Sequence, residues 1–103
     1  MGLFNLLFGR KNAVDLQKLI SEGAYLVDVR TPSEFSNNHL KNSVNIPLNM
    51  IKGQLSKFKG KKNIIVYCQS GNRSSQAKSI LEKNAITNVV DGGSISNVKR
   101  YLK

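Results

Sequence analysis

The sequence predicts an α/β fold, built on a small central parallel sheet with helices on both faces. Short apolar runs typical of buried strands alternate with segments in which apolar residues recur at helical spacing. Such alternation favours parallel strands, because each helix carries the chain back across the sheet before the next strand begins. The chain has 103 residues, of which 40% are hydrophobic, so it can build one core. We therefore predict a single domain.

The predicted elements of the first half begin and end at residues suited to those positions. Asn12 and Thr31 can cap helices, Pro32 fits a first helical turn, and Gly23 can end the helix before it. Gly53 interrupts the last helix of this half. The predicted order is a helix over residues 13–21, a strand over 25–29, a helix after Thr31, a strand over 43–46 and a helix over 50–58.

The second half is organised around an apolar strand predicted at residues 63–67. A helix follows to about residue 84, and then come a short strand at residues 89–90 and a terminal helix. The inward-facing residues of that last helix are predicted to be Ile95, Val98, Tyr101 and Leu102. Ligands of open parallel sheets bind at the carboxyl ends of the strands, so a site is expected where the central strand ends.

The only cysteine of the chain, Cys68, stands at that point, followed by a polar turn and the start of a helix. The N–H groups of such a turn lack helical partners and can converge on the sulfur, while the helix N-terminus and Arg73 also favour a thiolate. We predict that Cys68 is a nucleophile of low pKa rather than a buried structural cysteine. The turn residues predicted to surround a bound anion are Gln69, Ser70, Gly71, Asn72 and Arg73.

Polar residues also follow the first predicted strand, whose carboxyl end should lie near Cys68. Arg30 can bind an anion at the mouth of the pocket, with Asp28 orienting it; alternatively the two form a buried brace between loops, which we favour. Arg30 is kept as a candidate for substrate binding. His39 is placed with the structural residues, because a thiolate made by backbone dipoles needs no base.

Several short motifs resemble those of single-domain rhodanese-like sulfurtransferases, in the order that this family has. The run from Cys68 to Ser74 resembles the active-site loop. The other matching patches are Asp28-Val29-Arg30, Glu34-Phe35, His39-Leu40 and Asn45-Ile46-Pro47 upstream, and Asp91-Gly92-Gly93 downstream. The resemblance covers most of the chain from about residue 12. It implies a rhodanese-like fold over residues 12–103 and sulfane-sulfur transfer, with structural support from Asp28, Glu34 and His39.

Three asparagines depart from the family pattern. Asn38 and Asn42 stand where glycine is usual, and asparagine tolerates positive φ, so we expect both turns to keep their shape. Asn97 stands where a tryptophan is frequent, which leaves local stability or the pocket wall in question.

The expected reaction is attack of the Cys68 thiolate on a small sulfur anion such as thiosulfate, or on a persulfide, giving a persulfide that a thiol or cyanide then consumes. A persulfide carrier that serves a protein of a sulfur relay uses the same chemistry. A Cys-loop phosphatase or arsenate reductase is disfavoured because only four residues separate Cys68 from Arg73, whereas related phosphatases have one more. A noncatalytic binding module is disfavoured because Cys68, Gly71 and Arg73 are all present.

Composition limits the partners and the compartment. Net charge is +10, but no basic stretch is interleaved with aromatic residues, so we expect small anions rather than nucleic acid; alternatively the charges are simply solvated. A lone cysteine makes no internal disulfide, and we expect a cytoplasmic protein. No metal-ligand spacing occurs, so neither metal nor cofactor is expected.

Residues 1–11 form an apolar N-terminal segment that is too short to be a transmembrane segment. A frayed start, a flap over the domain and a weak surface anchor are all compatible with its composition, and we favour the flap.

Overall fold

The computed structural model describes residues 16–102, which form a four-stranded parallel sheet with helices packed against it. The strand order is β2-β1-β3-β4, and every neighbouring pair is parallel. The elements are a helix α1 over residues 16–21, β1 Tyr25–Asp28, α2 Pro32–Asn37, β2 Ser43–Asn45, a 3-10 segment Leu48–Phe58, β3 Ile64–Cys68, α3 Asn72–Lys83, β4 Val89–Ser94 and α4 Ile95–Lys99. The predicted α/β class, with a central parallel sheet, is confirmed.

Helices cover both faces of this sheet, as the alternating pattern predicts. Side chains of β3 alternate in direction, so Val66 and Cys68 join one buried cluster and Ile65 and Tyr67 the other. The first cluster contains residues of α3 and the 3-10 segment, and the second contains residues of α1 and α4. All five residues of β3 are buried, which makes it the centre of the core.

Three predicted elements differ from the structure. The terminal helix ends at Lys99, so Tyr101 and Leu102 follow it, although both pack against the cluster that contains Ile95 and Val98. The helix predicted over residues 50–58 is a longer 3-10 segment, and its break lies at Gln54 (φ −130°) rather than at Gly53. The break separates two stretches that each bury one large side chain, Ile51 and Phe58. The last strand extends to Ser94 instead of ending at residue 90, because Asp91, Gly93 and Ser94 also pair with residues of β3.

The expectation of positive φ is right at Asn42 and wrong at Asn38. Asn42 has φ +66°, whereas Asn38 has φ −169°, an extended conformation that any residue adopts. The predicted cap Asn12 and the segment over residues 1–11 lie outside the described residues. Between residues 16 and 102, no helix has the length and apolar character needed to cross a bilayer.

A bulge in β4 sets the position of the chain beside the end of β3. Val66 pairs with Asp91 but Tyr67 pairs with Gly93, so Gly92 is the extra residue. A Cβ on Gly92 would lie 2.6 Å from a methyl carbon of Val98, so only glycine fits without movement of its neighbours. The bulge places Gly93 and Ser94 opposite Tyr67 and Cys68.

Candidate active site

Cys68 is the last residue of β3, and its side chain has no exposed area. Its sulfur accepts hydrogen bonds from the backbone N–H groups of Gly71, at 3.0 Å, and Ser74, at 3.3 Å. Gly71 is the N-cap of α3 and has φ +101°, a conformation that glycine adopts without strain. This turn brings the first N–H groups of α3 back toward the strand end. The structure therefore shows the convergence of N–H groups that the sequence predicts.

These hydrogen-bond donors decide whether the pKa of Cys68 is raised or lowered. Burial by itself raises the pKa of the thiol, because it disfavours the charged form. The hydroxyl and N–H of Ser74, together with the N–H groups of Gly71 and Ser70, lower it by more, so the pKa lies below its ordinary value.

Ser74 is a residue of the site to which the sequence pattern assigns no separate role. It is fully buried, and its hydroxyl, which has one proton to donate, lies within hydrogen-bond distance of two carbonyls, that of Gly71 at 3.0 Å and that of Gly93 at 3.4 Å. Ser74 therefore links the sulfur, the turn and β4. Its signal in the sequence is slight, because a serine in the first turn of a helix is ordinary.

Arg73 and Glu34 form a bidentate ion pair between α3 and α2. The two guanidinium nitrogens lie 2.6 and 3.0 Å from the carboxylate oxygens, and the side chains are 32% and 33% exposed. Hydrogen bonds from Arg73, and then from the Thr31 N–H, lower the pKa of Glu34 to about 2. Glu34 also completes a capping box with Thr31, so it fixes the start of α2.

Arg30 and Asp28 form a buried pair, which is the geometry of the brace that we favour from the sequence. Nitrogens of Arg30 lie 2.8 to 3.0 Å from the Asp28 carboxylate, and the same guanidinium donates to the Gln69 side chain at 3.1 Å and to the Asn38 carbonyl at 2.5 Å. This hydrogen bonding raises the pKa of Arg30. Asn45 belongs to a patch that resembles the family, but the sequence assigns it no role in the site; its side-chain amide donates to the carbonyls of Asp28 and Arg30, both at 3.0 Å.

The side chains of the remaining predicted residues make no hydrogen bond to the Cys68 sulfur. His39 is exposed, stacks on Phe35 with 3.9 Å between ring centroids, and pairs its Nδ1 with the Phe35 carbonyl at 2.8 Å. The side chains of Ser70 and Asn72 are exposed beside the turn. Among residues 16–102, no group of three or more His, Cys, Asp and Glu residues is arranged to hold a metal ion.

Comparison with known proteins gives one consistent family. The model of the Rhodanese-like domain family matches residues 12–96. Thiosulfate sulfurtransferase PspE from Escherichia coli (strain K12) is 34% identical over 74 residues, which are 70% of this chain and 71% of that protein. Thiosulfate sulfurtransferase GlpE from Pseudomonas syringae pv. syringae (strain B728a) is 37% identical over 79 residues, which are 75% of this chain and 74% of that protein.

A solved structure agrees with the sequence comparisons. A rhodanese-related protein from Thermoplasma volcanium superposes on this chain with a TM-score of 0.71 and 31% identity. The match covers 85% of this chain and 87% of that one.

Proposed function

The chain belongs to the rhodanese-like domain family, and from that premise we propose that it transfers sulfane sulfur through a persulfide on Cys68. The observation that carries the proposal is the pair of N–H groups, from Gly71 and Ser74, on the Cys68 sulfur. Such donors stabilise a thiolate before reaction and a negative terminal sulfur after it. The names of the relatives PspE and GlpE, both thiosulfate sulfurtransferases, support thiosulfate as the first donor to test.

In the first half-reaction the Cys68 thiolate attacks the outer sulfur of thiosulfate. A new S–S bond forms at Cys68, the bond to the sulfonate group breaks, and its electron pair leaves with sulfite. The total charge of −3 is unchanged, because the persulfide anion carries −1 and sulfite −2. A persulfide donor reacts in the same way and releases a thiolate.

In the second half-reaction an external acceptor removes the sulfur. Cyanide attacks the terminal sulfur of the persulfide, forms thiocyanate and restores the Cys68 thiolate; a thiol acceptor gives a new persulfide. The chain has no second cysteine that could resolve the intermediate as an internal disulfide. We therefore expect the persulfide to persist until an acceptor arrives. A thiol that works in this way must stay reduced, so we propose a cytoplasmic setting.

The turn supplies the proposed anion site. In this proposal the anion meets the turn from Gln69 to Asn72 beside the buried sulfur, and Arg73 provides a partly exposed positive charge close enough to interact with Cys68. Binding by Arg73 requires it to share or exchange its contact with Glu34. A substrate-binding role of Arg30 remains a prediction, and the buried contacts with Asp28 and Gln69 favour its role as a brace.

Intact-protein mass spectrometry after thiosulfate treatment tests the proposal. We expect one added sulfur atom that dithiothreitol removes and that the Cys68→Ser variant never acquires. A protein that stays unmodified by thiosulfate while it consumes aryl phosphate or arsenate would show that the site serves an oxyanion instead. If Cys68 takes up sulfur only from a protein persulfide and not from thiosulfate, the protein is a persulfide carrier rather than a thiosulfate sulfurtransferase.

A further inference from the structure

The peptide group that joins Gly92 to Gly93 is held at both of its polar atoms. Its carbonyl oxygen, on Gly92, accepts a hydrogen bond from the Asn97 side-chain amide at 2.7 Å. Its N–H, on Gly93, donates to the Asp91 carboxylate at 2.9 Å. A glycine pair has few steric limits of its own, so these two contacts fix the orientation of this peptide plane.

The orientation of this peptide affects the active site because the following carbonyl, that of Gly93, contacts the turn that follows Cys68. Gly93 has φ +79°, and its carbonyl accepts from the buried Ser74 hydroxyl. A Cβ placed on Gly71 would lie 3.7 Å from the Gly93 Cα, so the turn lies directly beside the bulge of β4. Ser74 in turn donates its N–H to the Cys68 sulfur.

We propose that Asn97 is a positioning residue of the active site, which acts through the Gly92–Gly93 peptide and Ser74 on the Cys68 sulfur. The backbone at Asn97 is itself held in place, because α4 begins at the Ser94 cap and the Asn97 N–H donates to the Ser94 hydroxyl at 3.1 Å. The role deepens the proposed function and rests on it, since only a reactive Cys68 requires tuned donors.

The chemistry of the contact specifies an N–H donor at this place. A carbonyl oxygen faces the Asn97 side chain, so the side chain must present a hydrogen to it. The carboxylate introduced by Asn97→Asp would set oxygen against oxygen, and the methyl group of Asn97→Ala would leave the carbonyl without its partner. The charged groups of the surrounding elements are Arg73 on α3, Glu34 on α2, Asp28 at the end of β1 with Arg30 just after it, and Asp91 on β4. None of these residues is changed in the Asn97 variants.

The test is the pH dependence of Cys68 alkylation by iodoacetamide, measured without any sulfur donor. Three variants are compared with the wild-type chain: Asn97→Asp, Asn97→Ala and Asn97→Gln. Asn63→Asp is the charge control, because Asn63 precedes β3 and so lies at the edge of the sheet opposite Cys68. Circular dichroism and thermal unfolding establish that each variant is folded.

We expect a wild-type midpoint below about 8.5, the value of a free thiol. Asn97→Asp and Asn97→Ala should raise it by about 0.5 to 1 pH unit, which is about a three- to tenfold loss of thiolate below the midpoint. Asn97→Gln keeps an amide donor, so its midpoint should lie close to that of the wild-type chain. Asn63→Asp should have the wild-type midpoint.

A folded Asn97→Ala variant with the wild-type midpoint overturns the proposal, and so does an Asn97→Gln variant that behaves like alanine. If Asn97→Asp does not fold, Asn97→Ala decides. Failure of the proposed function is seen separately, as a wild-type chain that takes up no sulfur while the alkylation midpoints still differ.

Discussion

The Glu34–Arg73 ion pair gives a prediction whose size and pH dependence both follow from the structure. We consider a double-mutant cycle with Glu34→Gln and Arg73→Gln, read as free energies of unfolding. Glutamine keeps the size of Glu34 and can still accept from Thr31, so the coupling term isolates the contact between the two charges. A control cycle combines Glu34→Gln with Lys83→Gln in place of Arg73→Gln. Lys83 is an exposed residue at the end of the same helix α3, so this change removes a charge without removing a contact with Glu34.

About a third of each side chain is exposed, so solvent screens the pair. Exposed pairs contribute about 0.2 to 1 kcal/mol, and the bidentate geometry places this one near the upper end, at about 1 kcal/mol. The folded pKa of Glu34 is about 2, below the value of about 4.3 for an unfolded chain. A lowered folded pKa stabilises the protein above the unfolded value, and this contribution is lost as pH falls from about 4.3 toward 2.

Urea unfolding followed by circular dichroism at about pH 7 and about pH 2.5 measures both quantities. We expect a coupling of about 1 kcal/mol at the higher pH that falls to less than half at the lower one. A coupling within about 0.3 kcal/mol of zero at neutral pH, as expected for the Lys83 control, would refute the energetic role of the pair. A coupling that is the same at both pH values would refute the assignment of the low pKa.

Two further substitutions have definite expectations. His39→Ala should keep more than about a tenth of sulfur-transfer activity, because the imidazole contacts Phe35 and not the sulfur; a loss as deep as that of Cys68→Ser would identify it as a catalytic base. Gly92→Ala should lower the free energy of unfolding by about 1 to 3 kcal/mol, since its Cβ would overlap Val98 and Ile65; unchanged urea unfolding would contradict the tight packing of the bulge.

How far the sequence predicts this site depends on whether a contact is local. The Cys68 turn is local: an apolar strand, a glycine and a helix start lie within a few residues, and their geometry follows from backbone chemistry. The sequence also predicts that Asp28 and Cys68 lie close together, because neighbouring parallel strands have their carboxyl ends at the same side of the sheet.

Contacts between residues far apart in the chain are not visible in the pattern. The partner of Arg73 is Glu34, 39 positions away, and the amide of Asn97 reaches a peptide whose position depends on a bulge. Nothing in the composition of β4 fixes where its extra residue falls. That place is decided by the close packing of Gly92 against Val98 and Ile65.

The charges around Cys68 bear on how an anion is held there. Both nearby arginines already have a carboxylate partner, Arg30 with Asp28 and Arg73 with Glu34, so each pair is close to neutral as a unit. The N–H groups of Gly71 and Ser74, in contrast, both donate to the sulfur. Among residues 16–102, no carboxylate is hydrogen-bonded to the sulfur beside them, so their positive ends are not neutralised there. Stabilisation of the thiolate and of the proposed persulfide therefore rests on the Ser74 hydroxyl and the backbone N–H groups of the turn before it rests on either arginine. Arg73 contributes net positive charge to an anion only to the extent that Glu34 releases it.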